Sequence, residues 1–232
     1  DYSSAIWTSI DPQTTFSENC SATVELAYIP DYNFEKTLID RGYDTGAPDN
    51  YIPVAAIDTI LSLDISNRNI ADLTGIEYFT ALEVLDCSDN GLTTLNFTKN
   101  YTLLCLTCDN NILSELNISQ NNLLKNLYCQ NNELTNLSLI NNIGLNVLVC
   151  SDTLLTALDL TQNSSLFRLF SRNNNLTSLN VKNGNNTFIN RFDVVNNQNL
   201  PCLYVDDKVY SIANWNRIDP QAGFSEACGS LG

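Results

Sequence analysis

Leucine recurs at a fixed interval through the middle of this chain. Leu82, Leu103, Leu124, Leu145 and Leu166 stand 21 residues apart, and each opens a line of the form LxxLxCxxNxLxxLxhxxNxx, with h apolar. The first line reads LEVLDCSDNGLTTLNFTKNYT and the third reads LLKNLYCQNNELTNLSLINNI. A line one residue longer begins at Ile60, and a looser one at Ile189. A short period sustained in register restricts the fold more than any single motif, because each unit must adopt the same shape and stack on its neighbours.

Within each line the LxxLxC segment alternates inward and outward with period two, which predicts a short strand. Successive strands run in the same direction, so they are expected to form a parallel sheet. A single turn buries its leucines only against adjacent turns, so no turn is stable alone. Each buried leucine contributes roughly 1.5–3 kcal/mol relative to exposure.

Two asparagine columns follow the same register. Asn90, Asn111, Asn132, Asn174 and Asn197 form one, and Asn100, Asn121, Asn142 and Asn163 the other. Both lie where the chain leaves an apolar segment and its backbone needs partners. An asparagine amide donates and accepts, and asparagine tolerates left-handed backbone. Arg68 and Thr153 interrupt the first column, and a local irregularity is expected at each. The columns also create N-x-S/T triplets, for example at Asn96, Asn117 and Asn163, which read as by-products of the turns rather than as glycosylation signals.

Four of the eight cysteines, Cys87, Cys108, Cys129 and Cys150, share one position of the template, where Ile65, Ser171 and Val194 stand in other turns. That company predicts small, buried thiols. A ladder spreads ligands along an axis and does not converge on a metal. Cys105 falls at an outward position. Cys202 and Cys228 lie outside the ladder, 26 residues apart, and a disulfide between them would stabilise the end of the coil by roughly 3–4 kcal/mol. Such a bond belongs to an extracytoplasmic protein.

A coil of this kind needs its ends covered. YIPDYNFEKTLIDRGYD, residues 28–44, predicts a helical lid capped by Asp31 or Asn33, apolar through Phe34, Leu38 and Ile39, and stopped at Gly42. Its acidic loop, with Asp40, Asp44 and Asp49, does not have the spacing of a calcium loop and reads as a solvated turn. Residues 202–228, with Trp215 and Phe224, form the opposite lid. The phrase WNRIDPQAGFSEAC in that lid has a counterpart, WTSIDPQTTFSENC, at residues 7–20; residues 2–20 and 210–228 share 12 of 19 identities. The chain therefore reads as a piece of a tandem array. Residues 1–20 are the tail of a preceding module, 21–59 an N-terminal cap, 60–201 the repeats and 202–232 a C-terminal cap.

The helical lid, the lines IADLTGIEYFTALEVLDCSDNGLTTLNFT and the closing WxxIDPQxxFSExC together resemble secreted leucine-rich repeat proteins of the Bacteroidetes. The resemblance spans essentially the whole chain. It implies a leucine-rich repeat solenoid of the α/β horseshoe class, mostly strand and loop, with parallel strands on the concave face. It also implies a secreted or cell-surface location, neighbouring modules in the same parent chain, and adhesion or recognition with no catalytic residues and no cofactor.

A net charge of −15 argues against nucleic acid and anionic membrane surfaces as partners. No apolar run is long enough to cross a membrane as a helix. Histidine is absent, which removes the commonest general base and metal ligand. Asp64 and Asp86 fall one turn apart, but no cleft is evident around them, so the reading is a non-catalytic binding module with no metal. The outward template positions are polarised. Glu83, Asp86 and Asp89 make the early part acidic. The later part gathers Lys125, Tyr128, Phe167, Arg168, Phe170, Arg172 and Arg191, in a chain with only 11 basic residues. Aromatic and arginine side chains are enriched where binding energy concentrates. That patch is the expected ligand site, for a protein partner in the first instance. A glycan-binding module for acidic or sulfated polysaccharide is the alternative, and a spacer that only extends the array is the plainest reading.

Overall fold

The computed structural model describes residues 24–228, so the tail read as residues 1–20, with Cys20, lies outside the described residues. In chain order the elements are β1 (Leu26–Tyr28), α1 (Tyr32–Asp40), β2 (Tyr51–Pro53), β3 (Ser62–Asp64), β4 (Val84–Asp86), β5 (Cys105–Thr107), β6 (Asn126–Tyr128), β7 (Val147–Val149), β8 (Ala157–Asp159), β9 (Arg168–Phe170), β10 (Ser178–Asn180), β11 (Arg191–Asp193), β12 (Cys202–Tyr204), α2 (Lys208–Asn214) and β13 (Gly223–Ser225). The LxxLxC strands pair in parallel, one per turn, in a seven-stranded sheet ordered β11-β9-β7-β6-β5-β4-β3. Their central leucines, from Leu63 to Leu169, are register partners and are buried. The parallel-strand solenoid read from the period is the fold.

The second LxxLxh segment of each turn is also a strand, but only late in the chain. A four-stranded parallel sheet, β13-β12-β10-β8, lies on the other side of the coil. The single-strand reading of the template missed it. In the earlier turns the same segments, 92–97, 113–118 and 134–139, have no strand assignment. Neighbouring segments are joined there by one backbone bond each, such as Ile112 N–H to Leu92 O and Glu133 N–H to Leu113 O. A cleft of about 500 Å³ opens between the segments 113–118 and 134–139, and one of about 520 Å³ between 134–139 and β8. Strand pairing holds the turns about 4.8 Å apart on the first side; on the second side the early turns lack it.

The asparagine columns divide their work in a way the template did not show. Left-handed backbone falls on the residue before the first column: Asp89, Asn110, Asn131, Asp152, Asn173 and Asn196 have φ between 53° and 61°. The ladder asparagines themselves serve as hydrogen-bonding hubs. Asn111 donates to the carbonyls of Cys87, Cys108 and Asp109 and accepts from Leu92 N–H; Asn132 repeats this one turn on. Asn100, Asn121, Asn142 and Asn163 are fully buried, and each donates to two carbonyls of the preceding turn. Glycosylation at Asn100 or Asn163 is incompatible with that burial. The irregularity expected at Arg68 is present: Asn69, with φ 56°, is a second left-handed residue beside Asn67, which the later turns do not repeat, while Asn90 Oδ1 accepts from Arg68 N–H. At Thr153 the turn keeps its form: the hydroxyl lies within hydrogen-bonding reach of Cys150 O and Asn174 Oδ1, and the neighbouring strands keep register. A hydroxyl is sufficient where one short donor is needed.

Cys87, Cys108, Cys129 and Cys150 are free and buried in the core, as their position predicted. Cys202 and Cys228 form a disulfide with Cα atoms 6.1 Å apart. At the N-terminal end Asp31 caps α1 through the N–H groups of Asn33 and Phe34, and its second oxygen accepts from Ala71 and Asp72 in the first repeat. Phe34 and Leu38 point into the core, and Gly42, at φ 80°, lets the chain turn away. The fully buried Glu35 accepts from Asp49 and Asn50 N–H, which ties down the acidic loop. At the other end Trp215 stacks on Phe192 at 4.2 Å, meets Phe224 edge-on, and donates from Nε1 to Ile189 O.

Candidate binding face

The exposed side of the seven-stranded sheet carries two rows of side chains. Ser62, Val84, Cys105, Asn126, Val147, Arg168 and Arg191 make one, and Asp64, Asp86, Thr107, Tyr128, Val149, Phe170 and Asp193 the other. Both follow the columns read from the template. The acidic end is engaged locally. Asp64 and Asp86, which are register partners, each accept from a serine two residues on, Ser66 and Ser88. Those hydrogen bonds hold the Asp64 carboxyl below its ordinary range, with Arg41 and Arg68 adding to the effect. Asp109 moves the other way, raised by burial and by the nearby Asp89 and Asp86 carboxylates. Cys105 is half-buried between Val84 and Asn126, and burial raises its thiol above the ordinary value.

At the other end, Tyr128, Val149 and Phe170 stand side by side on adjacent strands. Two cavities adjoin there. One, of about 440 Å³, is lined by Arg168, Phe170, Arg191, Trp215 and Arg217 among others. The second, of about 380 Å³, is lined by Val149, Gln130, Arg172 and Asp152 and shares Phe170 and Asp193 with the first. Of the seven residues expected in the patch, Arg168, Phe170, Arg172 and Arg191 thus come together, with Tyr128 beside them in the row. Lys125 does not join this group, and Phe167 touches it only through the Arg168 guanidinium, 5.3 Å from its ring centre. Lys125 runs over Gly144, where its Nζ fills the space of an added Cβ, and Phe167 packs edge-on against Phe188 at 6.2 Å. Their template position points along the rim between turns, not out from the strands.

Sequence reasoning missed Arg217, Trp215 and Gln130. Arg217 lies in the closing lid and donates from Nε and Nη2 to Asp193 Oδ2, at 3.1 and 2.8 Å. The lid thereby supplies one wall of the larger cavity, which no reading of the repeats alone would indicate. Among the described residues, no group of three or more histidine, cysteine or carboxylate side chains is placed to hold a metal, and no helix is long and apolar enough to cross a membrane.

The fold is a parallel-strand solenoid of the leucine-rich repeat kind. No family model matches the chain. Internalin J of Listeria monocytogenes is 38% identical over 73 residues, which is 32% of this chain and 8% of the relative. The chain thus spans a small fraction of that protein's length. An internalin, InlF, from the same organism shares the fold with TM-score 0.56 and 18% identity, covering 86% of this chain and 72% of the other. Internalin C2 (InlC2) of Listeria monocytogenes does so with TM-score 0.51 and 19% identity, covering 85% of this chain and 95% of the other.

Proposed function

We propose that this chain is a non-catalytic, extracellular binding module that recognises a protein partner through the exposed face of its seven-stranded sheet. The observation that carries the reading is the half-buried row Tyr128, Val149 and Phe170 flanked by exposed Arg168, Arg172 and Arg191. Aromatic anchors beside arginines are what binding hot spots are made of, and a patch of this kind on a rigid sheet needs little reordering to bind. The likeness to internalin J, the resemblance to secreted leucine-rich repeat proteins of the Bacteroidetes and the Cys202–Cys228 disulfide support a secreted or surface location. The end-to-end repetition of residues 2–20 and 210–228 supports neighbouring modules in one parent chain.

The test is a parallel binding screen against purified extracellular-matrix proteins and against sulfated and uronic polysaccharides, with Tyr128→Ala/Phe170→Ala alongside. Binding of a protein, weakened at least tenfold in the variant at unchanged melting temperature, is the expected result. Polysaccharide binding alone, lost in the same variant, would make the module a glycan binder, a reading favoured by the arginines beside aromatic rings. Unchanged affinity in the variant would remove this face from consideration.

A further inference from the structure

We propose that the two adjoining cavities at the C-terminal end of the sheet are an acidic-peptide subsite: they take carboxylate side chains, and the backbone between them, from an extended segment of the protein partner. This rests on the reading of the sheet face as a protein-binding surface and adds the chemistry of the contact.

Arg168 and Arg191 are direct register partners on adjacent strands, both exposed and both on the outward side. Strand spacing places their backbones about 4.8 Å apart. Like charges in that relation are unfavourable unless an anion lies between them. Among the described residues neither has a carboxylate within ion-pairing distance. The carboxylate nearest in the cavity wall, Asp193, is already taken by Arg217. Arg168 lies with its guanidinium 5.3 Å from the centre of the Phe167 ring, which holds the side chain in one direction. The result is two neighbouring guanidiniums, one of them held by a ring, with N–H donors that no carboxylate of the described residues takes up, and a carboxylate is the partner such donors fit.

A second observation favours a ligand with donors of its own, as the backbone of a protein partner has, over a simple anion. Gln130 lines the smaller cavity, and its Oε1 is closed off without a hydrogen-bond partner. Turned into the cavity it would accept from a peptide N–H, which a carboxylate lacks. Phe170 is a wall common to both cavities, so one extended strand of ligand passing it reaches Arg168 and Arg191 on one side and Gln130 and Arg172 on the other. The wider field agrees. In a chain of net charge −15, Arg168, Arg172, Arg191 and Arg217 are four of the 11 basic residues and all line these two cavities; Arg172 and Arg217 pair with Asp152 and Asp193, which leaves Arg168 and Arg191 as the uncompensated charge. An acidic segment is repelled by most of the molecule and steered to this end.

The experiment is calorimetric titration of the whole chain with a ten-residue peptide alternating glutamate and serine, and with its glutamine counterpart, at 50 and 300 mM salt. A short heparin fragment serves as a third ligand. The glutamate peptide should bind at least tenfold tighter than the glutamine peptide and weaken as salt rises. Arg168→Gln/Arg191→Gln should abolish that preference, and Arg168→Lys/Arg191→Lys should retain part of it. Arg41→Gln/Arg68→Gln, at the far end, should change affinity less than twofold. Equal binding of the two peptides, or unchanged preference in the Arg168→Gln/Arg191→Gln protein, overturns the proposal. Heparin binding through these arginines with no peptide binding overturns it in favour of a sugar. Self-association in sedimentation that vanishes in the same variant overturns it in favour of a second copy's acidic end. A protein partner still captured through Tyr128 and Phe170 when the peptide fails leaves the sheet-face reading standing.

Discussion

Between Leu92 and Leu139 the second apolar segment of each turn meets its neighbours through side chains and one backbone bond; between Ala157 and Ser225 the same segment is a paired strand. Nothing local separates the two groups. LTTLNF, LSELNI and LTNLSL remain unpaired, while LTALDL and LTSLNV pair. The difference lies at the end of the coil. β13 in the closing lid pairs with β12, and the Cys202–Cys228 disulfide joins the two strands' neighbourhoods. A lid that presents a strand gives the last turn a template, and pairing then propagates back to β8. The early turns meet α1 at their end, a helix that offers no strand to the second side. The arginine-lined cavities sit where the turns are bonded on both sides.

The comparison can be broken most strongly at the lid. Trp215→Ala removes a nearly buried ring stacked on Phe192, and a loss of about 3–5 kcal/mol is expected from denaturant unfolding. Hydrogen exchange should accelerate in β8, β10 and β12 more than in β4 to β6. Uniform acceleration would show that the lid does not organise the second sheet. Cys202→Ser/Cys228→Ser should follow, with a loss of roughly 3–4 kcal/mol and the same regional pattern. Next, Asn132→Ala removes the acceptor of the Leu113 N–H and a donor to the Cys129 carbonyl, and leaves Cys108 O with the Asn111 amide alone of its two side-chain donors. A loss of about 1–3 kcal/mol is expected by the same measurement, centred on the early turns.

The most gradual effect sharpens the comparison through pH. The ladder thiols titrate near 9 when unfolded, and burial holds all four higher in the fold, Cys150 up to about 12. Above pH 9 the unfolded chain releases protons that the folded chain keeps, so stability falls as pH rises from about 9 to 12. Each thiol contributes up to about 1.4 kcal/mol per pH unit. Melting temperature measured across that range should fall more steeply for the natural protein than for Cys150→Val, which installs the residue type found at Val194. Parallel curves would mean the thiols are not shielded.

Much of this was legible in the residues. The 21-residue period specifies the turn, the parallel sheet, the inward leucines and the cysteine ladder, because each follows from alternation and stacking. The two outward rows were readable for the same reason. The patch was legible only in part. Arg168, Phe170 and Arg191 share strand positions that point outward, whereas Lys125 and Phe167 occupy a position whose direction the period does not reveal. Gln130 lies just beyond its strand and carried no signal in the sequence. Arg217 and Trp215 reach the site from a lid, 24 and 23 residues away in sequence from their partners Asp193 and Phe192, and such contacts leave no periodic trace.

The sequence by itself determined that this chain coils, how long each turn is, which side chains face inward, and which columns carry amides, thiols and charge. Those properties repeat with the period, and a repeated local pattern can be met by only one stacked shape. Tertiary structure alone decided where the second sheet begins, which asparagine takes the left-handed turn and which the hydrogen bonds, and how the lid closes over Asp193 to shape the arginine-lined cavity. These depend on how the ends are covered and on contacts between turns, and identical local segments can answer such constraints in two different ways.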